Sequence, residues 1–142
     1  MIEISVESFG YGHLDGEAVH VALSWGSLTD TDLVFDIQNE IHDPNVDPGM
    51  KQMTGLNSEV YDHVMATDGA KELIDRIYTE ILHKLPLRAP RKVIHLGIGC
   101  TGGRHRSVVI AREIGRLLRL SGLRVAIVHH HVRRPVLEGG KS

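Results

Sequence analysis

The distribution of apolar and polar residues along the chain predicts a series of short β-strands. Near the start, Ile2, Ile4 and Val6 alternate with polar residues, which is typical of a strand that exposes one face to solvent. Compact apolar runs predict further strands at residues 18–23, 33–37 and 124–128, and another begins at Val93 and ends in glycines. Asp36 lies inside one of these runs, and we expect it to be hydrogen-bonded because a buried acid requires a partner.

Apolar residues at intervals of three and four predict helices between these strands. Asn57 is the expected N-cap of a short helix over residues 58–65, and Asp68 that of a longer one over residues 70–85. The longer helix has an apolar stripe formed by Ile74, Ile77, Ile81 and Leu85. A third helix follows residue 107, and Gly122 is its expected stop. Alternating strands and helices predict an α/β fold with a mainly parallel sheet and helices packed on it.

The composition indicates an ordinary soluble domain. The 142 residues, 42% hydrophobic and 24% charged, suit a single domain over residues 1–142. No apolar run approaches the roughly 20 residues of a transmembrane helix, and the N-terminus has no signal core. The single cysteine excludes an internal disulfide and favours a reducing compartment. We therefore expect a cytoplasmic protein that does not contact a membrane.

The small net charge of −2 conceals a strong polarity along the chain. Residues 1–68 carry 13 acids and one base, whereas residues 69–142 carry 5 acids and 15 bases. The basic half could present a face to a phosphate-bearing partner, including RNA, or the two halves could neutralise each other in the fold. Aromatic residues amount to only 4%, which argues against a platform that stacks the bases of single strands.

A glycine-rich stretch between the Val93 strand and the third helix carries the clearest functional pattern. Apolar residues lead into glycines, basic residues follow, and helical spacing begins at Val108. Backbone N–H groups at such a helix start favour an anion, so we expect a phosphate there. The residues expected to bind it are Gly99, Cys100, Thr101, Gly102, Gly103, Arg104, His105, Arg106 and Ser107. The alternative is a glycine-rich turn that binds nothing.

Two nucleotide-binding patterns fit this stretch poorly. The glycines at 97, 99 and 102 match G-x-G-x-x-G, but the next strand ends in three histidines rather than in the acid that a dinucleotide fold requires. No Gly-Lys-Ser/Thr closes the loop, which excludes a nucleotide P-loop. A third pattern, Cys-x5-Arg-Ser, is similar to the phosphate loop of cysteine-dependent phosphatases. There Cys100 would be the nucleophile and Arg106 would hold phosphate oxygens, although no Trp-Pro-Asp segment supplies a general acid.

Other segments are expected to reach the same edge of the sheet. Turn-forming residues without periodicity predict a long binding loop over residues 39–56. His129 ends the last strand, and ligands of parallel sheets bind at the carboxyl ends of strands. Successive histidines at 129–131 alternate across a strand, so we interpret them as a polar strand end and surface positions rather than as a metal site.

The sequence from Gly97 to Ser107 resembles the I-G-C-T-G-G-K/R-H-R-S signature of the C-terminal domain of the RapZ family of RNase adapters. Further segments agree in the same order, at residues 8–11, 32–37, 47–48 and 53–56 and at His129. The resemblance implies an α/β domain that binds an amino-sugar phosphate, glucosamine-6-phosphate, and engages small regulatory RNA. In full-length members this domain follows a P-loop NTPase domain, and we expect a stand-alone version here. Gln38 replaces a family arginine, and residues 14–27 resemble an insertion.

We therefore expect a non-catalytic sensor or adaptor domain that needs neither cofactor nor metal. The sugar-side candidates are Asp36, Asn45, Asp47, Thr54 and His129, and the candidates for RNA contacts are Arg133 and Arg134. Expected partners are a phosphorylated small molecule, a structured small RNA and further copies of the chain. The alternative function is a cysteine-dependent phosphatase.

Overall fold

A computed structural model describes residues 3–14, 33–41, 48–85 and 93–137. The strands in these ranges are β1 (Glu3–Gly10), β2 (Leu33–Asp36), β3 (Val93–Cys100) and β4 (Arg124–His129). The helices are α1 (Ser58–Met65), α2 (Ala70–Lys84) and α3 (Arg106–Leu120), with a 3-10 turn at Tyr11–His13. The strand expected at residues 18–23, most of the apparent insertion at 14–27, Asn45 and Asp47 lie outside the described residues.

The four strands form one parallel sheet in the order β2-β3-β1-β4. This confirms the α/β fold with a parallel sheet that the alternation of strands and helices predicted. None of the helices within the described ranges is long and apolar enough to cross a bilayer.

The central position of β1 explains why the prediction of a half-exposed first strand is wrong. β1 pairs with β3 on one side and with β4 on the other, so Val6 lies opposite both Leu96 and Ile127. Every β1 residue after Glu3 is buried, including Glu7 at 3% exposure. In β1 the alternation of apolar and polar residues therefore corresponds to two buried faces of the strand. The polar side chains on one of these faces need hydrogen-bond partners.

The hydrophobic core covers the other face of the sheet. Ile4 and Val6 of β1 and Ile94, Leu96 and Ile98 of β3 belong to one buried cluster with residues of all three helices. The predicted stripe of α2 is confirmed because Ile74, Ile77, Ile81 and Leu85 are all in this cluster. Burying each large aliphatic side chain contributes about 1.5–3 kcal/mol, so this face supplies most of the apolar stabilisation.

The helices begin and end close to the predicted residues, but the predicted capping interactions are not all present. Asn57 precedes α1 as expected, but its side-chain oxygen accepts the N–H of Thr54 at 2.8 Å instead of capping the helix. The N-cap of α2 is Gly69 at φ 87° rather than Asp68. Gly122, at φ 86°, follows α3 as predicted, in a left-handed conformation that favours glycine.

Asp36 does not occupy the buried position expected for it. β2 is the outermost strand of the sheet within the described residues, and Asp36 at its end is exposed and accepts hydrogen bonds from the backbone N–H and the side-chain amide of Gln38. Its partner in the register is Gly99, and Gly10 of β1 lies opposite Cys100. Because all strands are parallel, their ends and the segments after them lie along one edge of the sheet.

Candidate functional site

The loop at residues 101–105, here called the glycine loop, joins the end of β3 to the start of α3. Gly103 has a φ of 71°, and a Cβ added there would lie 2.5 Å from the backbone nitrogen of Gly10. A Cβ at Gly10 would lie 2.3 Å from the carbonyl carbon of Gly102. Glycine at both positions therefore allows the loop to lie directly on the end of β1.

The glycine loop ends where a long helix begins. α3 spans 15 residues from Arg106, and the N–H groups of its first turn have no acceptor within the helix and point back toward the loop. The partial positive charge of the helix N-terminus adds to the charges of Arg104 and Arg106 at the same place. The electrostatics of this edge therefore favour an anion.

Arg104 and His105 bind the backbone of neighbouring segments. Arg104 donates from Nε to the carbonyl of Met53 at 3.0 Å, from Nη1 to that of Arg134 at 3.0 Å, and from Nη2 to that of Gln52. The buried ring of His105 contacts the carbonyl of Met53 through Nε2 at 2.7 Å. The two side chains thus fix the positions of residues 52–53 and of the segment after β4 relative to the loop.

Arg106 has an equivalent role toward the end of β2. Its Nη1 donates to the carbonyl of Gln38 at 2.6 Å and to that of Ile41 at 3.3 Å, and only 3% of the residue is exposed. Both acceptors are backbone carbonyls of the segment that follows β2. Arg106 therefore fixes this segment relative to the glycine loop, as Arg104 and His105 fix residues 52–53 and the segment after β4.

A polar bridge connects the glycine loop to β2. The hydroxyl of Thr101 donates to Oε1 of Gln38 at 3.2 Å, and the side-chain nitrogen of Gln38 donates to Asp36 at 3.1 Å. Tyr11 lies nearby, and burial together with the charge of Asp36 raises its pKa to about 12. Tyr11 is therefore a neutral phenol at neutral pH, and this rim offers both hydrogen-bond donors and a carboxylate.

Cys100 lies beneath the loop and is fully buried. Its sulfur accepts the N–H of Gly103 at 3.2 Å, and its thiol donates to the hydroxyl of Ser107 at 3.1 Å. The residue belongs to the hydrophobic core cluster. In this structure the thiol supports the loop from below, out of reach of a phosphorus atom in solvent.

The histidines at 129 and 130 continue the contacts of β4 with β1. Nδ1 of His129 and the hydroxyl of Ser8 are 2.6 Å apart. Glu7 binds two histidines, one through each carboxylate oxygen: Nε2 of His130 at 2.6 Å and Nδ1 of His95 at 2.6 Å. Within the described ranges, no cluster of three or more His, Cys, Asp or Glu side chains is arranged to hold a metal ion.

His131 is the third member of this run, and only 6% of it is exposed. Its Nδ1 accepts the backbone N–H of Gly10 at 2.8 Å. Burial lowers the pKa of His131 to about 4, helped by the positive charges of neighbouring His13, Arg134 and His130. Burial likewise lowers the pKa of His129 to about 4, and both rings are neutral at neutral pH.

The remaining candidates are placed as follows. Thr54 is half-buried beside Gly55, whose N–H donates to the carbonyl of Arg104 at 2.8 Å, so it borders the glycine loop. Arg133 and Arg134 are exposed and line a cavity of about 250 Å³ together with His129, His130 and Val132. The structure thus brings Asp36, Thr54 and His129 to the edge that holds the glycine loop, whereas Asn45 and Asp47 lie outside the described residues.

Comparison with known proteins places this geometry in a family. The sequence model of the RapZ C-terminal domain matches residues 2–133, nearly the whole chain. The chain belongs to the RapZ C-terminal domain family. The resemblance found in the glycine loop is thereby confirmed over the full domain.

Relatives within this family are longer proteins. A nucleotide-binding protein of Clostridium acetobutylicum is 34% identical over 141 residues, which are 98% of this chain and 44% of that protein. A nucleotide-binding protein of Thermobifida fusca is 36% identical over 136 residues, 94% of this chain and 42% of that protein. One from Cutibacterium acnes is 40% identical over 106 residues. The chain spans less than half the length of these curated relatives.

Two residues of the site, Gln38 and Gly10, were not among the functional candidates predicted from the sequence. Gln38 was noted only as a departure from the family, but its side chain and carbonyl bind Asp36, Thr101 and Arg106. Gly10 supports the glycine loop and binds His131. Both follow or end a parallel strand at its carboxyl end, and this position is the signal that could have identified them.

Proposed function

We propose that this domain binds the phosphate group of a small phosphorylated metabolite at the glycine loop and acts as a sensor or adaptor. One observation carries the proposal: the loop opens onto the first turn of α3, and hydrogen bonds to backbone carbonyls hold the basic side chains of Arg104 and Arg106 beside it. Backbone N–H groups and fixed positive charges at one helix start are the features that a phosphate site requires.

The phosphate is held in this proposal by backbone amides of residues 101–107 and by the hydroxyl of Thr101. Thr101 now donates to Gln38 and can exchange that acceptor for a phosphate oxygen without losing a hydrogen bond. The guanidinium groups contribute mainly through their charge, since several of their N–H groups already serve backbone carbonyls. Hydrogen bonds that involve an ionised group contribute about 1.5–3 kcal/mol each, so a few of them suffice for micromolar affinity.

The rest of the ligand would face the rim made by Asp36, Gln38, Tyr11 and Thr54. The exposed carboxylate of Asp36 accepts hydrogen bonds and suits an ammonium or hydroxyl group. This favours an amino-sugar phosphate, such as the glucosamine-6-phosphate that the family resemblance implied, as the first ligand to test. Contributions from Asn45, Asp47 and His129 stay predictions.

The names of the relatives make a nucleotide the second phosphate ligand to test. Those names describe proteins more than twice as long as this chain. The phosphatase alternative gains no support from Cys100, because the thiol is buried in the core beneath the loop. RNA binding through Arg133 and Arg134 stays a separate proposal, which rests on the exposure of these two basic residues.

Calorimetry with matched ligands tests the proposal. We expect glucosamine-6-phosphate to bind and glucosamine not to bind, because only the former carries the phosphate. Thr101→Val, which removes one hydroxyl at constant size, should weaken binding about tenfold, whereas Thr67→Val in the turn after α1 should not. Equal binding of the phosphorylated and unphosphorylated sugars would reject a phosphate site.

The same titrations show whether a nucleotide is the ligand, and an assay of phosphate release tests the phosphatase. A nucleotide that binds more tightly than the sugar phosphate would change the ligand but keep the site, provided that Thr101→Val weakens it too. Release of inorganic phosphate that Cys100→Ser abolishes would establish the phosphatase instead.

A further inference from the structure

Phosphate binding does not explain the contacts of the three histidines at the end of β4, residues 129–131. Each ring contacts a different residue of β1: His129 contacts Ser8, His130 contacts Glu7, and His131 contacts Gly10. The contact of His131 extends the association of β1 with β4 beyond the last register pair, Ser8 with His129. The segment after β4 is thereby tied to the centre of the sheet by titratable groups.

The contact of His131 differs from that of His130 in its response to protonation. Gly10 offers an N–H, which can only donate, so Nδ1 of His131 must keep its lone pair. A proton on Nδ1 would point at the N–H of Gly10 and remove the bond. His130 faces the carboxylate of Glu7, which accepts an N–H from either the neutral or the protonated ring. Acid therefore breaks the contact of His131 and leaves that of His130.

The charges around His131 reinforce this difference. Its ring centre is 5.3 Å from that of His13 and 6.4 Å from that of His130, and the positive charge of Arg134 also acts on it. On the neighbouring elements, Arg112 of α3 acts on His129, and His95 of β3 shares the carboxylate of Glu7 with His130. The carboxylate of Glu7 is thus engaged by two other histidines, and the groups acting on His131 itself are cationic or become so in acid.

We propose that His131 is an acid-sensitive latch that holds the turn at residues 131–134 against the end of β1 and releases it when Nδ1 takes a proton. The turn is closed by a hydrogen bond from the N–H of Arg134 to the carbonyl of His131 at 3.0 Å. The carbonyl of Arg134 in turn accepts Nη1 of Arg104. Release of the turn therefore also frees one donor of Arg104 beside the glycine loop.

The direction of the pH effect follows from the neutral state of the latched ring. Burial holds the pKa of His131 near 4, whereas an open turn restores it toward 6.5. The stabilisation of the closed turn is thus fully present above about pH 6.5 and is lost as the pH falls toward 4. Between pH 7.5 and pH 5 the open population should rise by at least about tenfold.

Hydrogen exchange of the folded chain, corrected for the intrinsic pH dependence of exchange, tests the latch. We expect the amide protection factors of Gly10 and Arg134 to fall at least about tenfold from pH 7.5 to pH 5. The amides of Ile94 and Leu96 in β3 should keep their protection over the same range. Constant protection at Gly10 and Arg134 overturns the proposal, and so does an equal loss at Ile94 and Leu96, which would indicate global unfolding.

His131→Asn supplies the matched control. The Oδ1 atom of asparagine occupies nearly the position of Nδ1 and accepts the N–H of Gly10, but it does not titrate. This variant should keep the protection of Gly10 at pH 7.5 and lose its pH dependence. His131→Ala should show low protection of Gly10 at both pH values. A pH dependence unchanged in His131→Asn would assign the effect to another group and refute the latch.

Discussion

The glycine-loop side and the histidine side of the site are built in opposite ways. On the loop side, Arg104 and Arg106 carry permanent charges and fix backbone carbonyls of other segments. On the histidine side, His129 and His131 are kept neutral by burial and contact β1, 121 residues away in the chain. Both sides meet at Gly10, which lies against the loop and donates to His131.

The difference shows that one edge of a sheet can combine side chains of constant charge with side chains whose charge depends on pH. A guanidinium group stays protonated at every physiological pH, so the attraction for an anion does not vary. A buried imidazole changes its charge within a few pH units of neutrality, so the contacts that it makes are conditional. In the proposed site the loop side would therefore supply the binding charge, and the histidine side would supply the contacts that respond to acid.

The largest expected effect comes from the residue at which the two sides meet. Gly10→Ala places a Cβ 2.3 Å from the backbone of Gly102, where no flexible side chain can move aside. We expect a loss of about 3 kcal/mol in the free energy of unfolding, measured by urea denaturation. Gly122→Ala is the control: its Cβ would meet nothing within 4 Å, so only the strain at φ 86° remains, about 1 kcal/mol. Equal losses in both variants would show that the close approach is not a constraint.

Loss of a charge on the loop side should lower the affinity for an anion, and at Arg106 it also removes the donor to two backbone carbonyls. Arg106→Ala should weaken binding of a phosphorylated ligand at least about tenfold, because a fixed charge beside the helix start is lost. Arg106→Lys keeps the charge but not both carbonyl contacts, and should lose less. Calorimetry at pH 7.5 compares both with His131→Asn, which should bind as the parent does. If His131→Asn weakened binding as much as Arg106→Ala, the division between the two sides would be wrong.

The smallest effect is expected at the exposed end of the histidine side. Any affinity for structured RNA should fall steeply with salt, because phosphate contacts release counterions. Replacing Arg133 and Arg134 together by alanine should weaken it by a few-fold and leave binding of the small phosphorylated ligand unchanged, since both are exposed. Filter binding at low and moderate salt measures this. No detectable binding at low salt would remove RNA from the partners of this domain.

Local pattern was sufficient for most elements of the fold. Helical spacing gave α1 and α2 to within a residue, because one apolar face of a helix must be buried wherever the helix lies. The glycine loop was also predicted, since an apolar run that ends in glycines and is followed by helical spacing indicates a strand, a tight loop and a helix. The resemblance to the RapZ C-terminal domain family rested on the same stretch and on shorter segments elsewhere, and the family model matches residues 2–133.

The tertiary structure alone decided what the strands and polar residues do. The order β2-β3-β1-β4 places β1 inside the sheet, which buries Glu7, and places Asp36 at the exposed end of the outermost described strand. The alternation around Glu7 and the apolar run around Asp36 had suggested the reverse. The strand order also directs Arg106 to the carbonyl of Gln38 and His131 to the N–H of Gly10. Periodicity reports how many faces of a strand are apolar but not which strands flank it. Partners that lie 68 or 121 residues apart are therefore fixed only when the sheet is assembled.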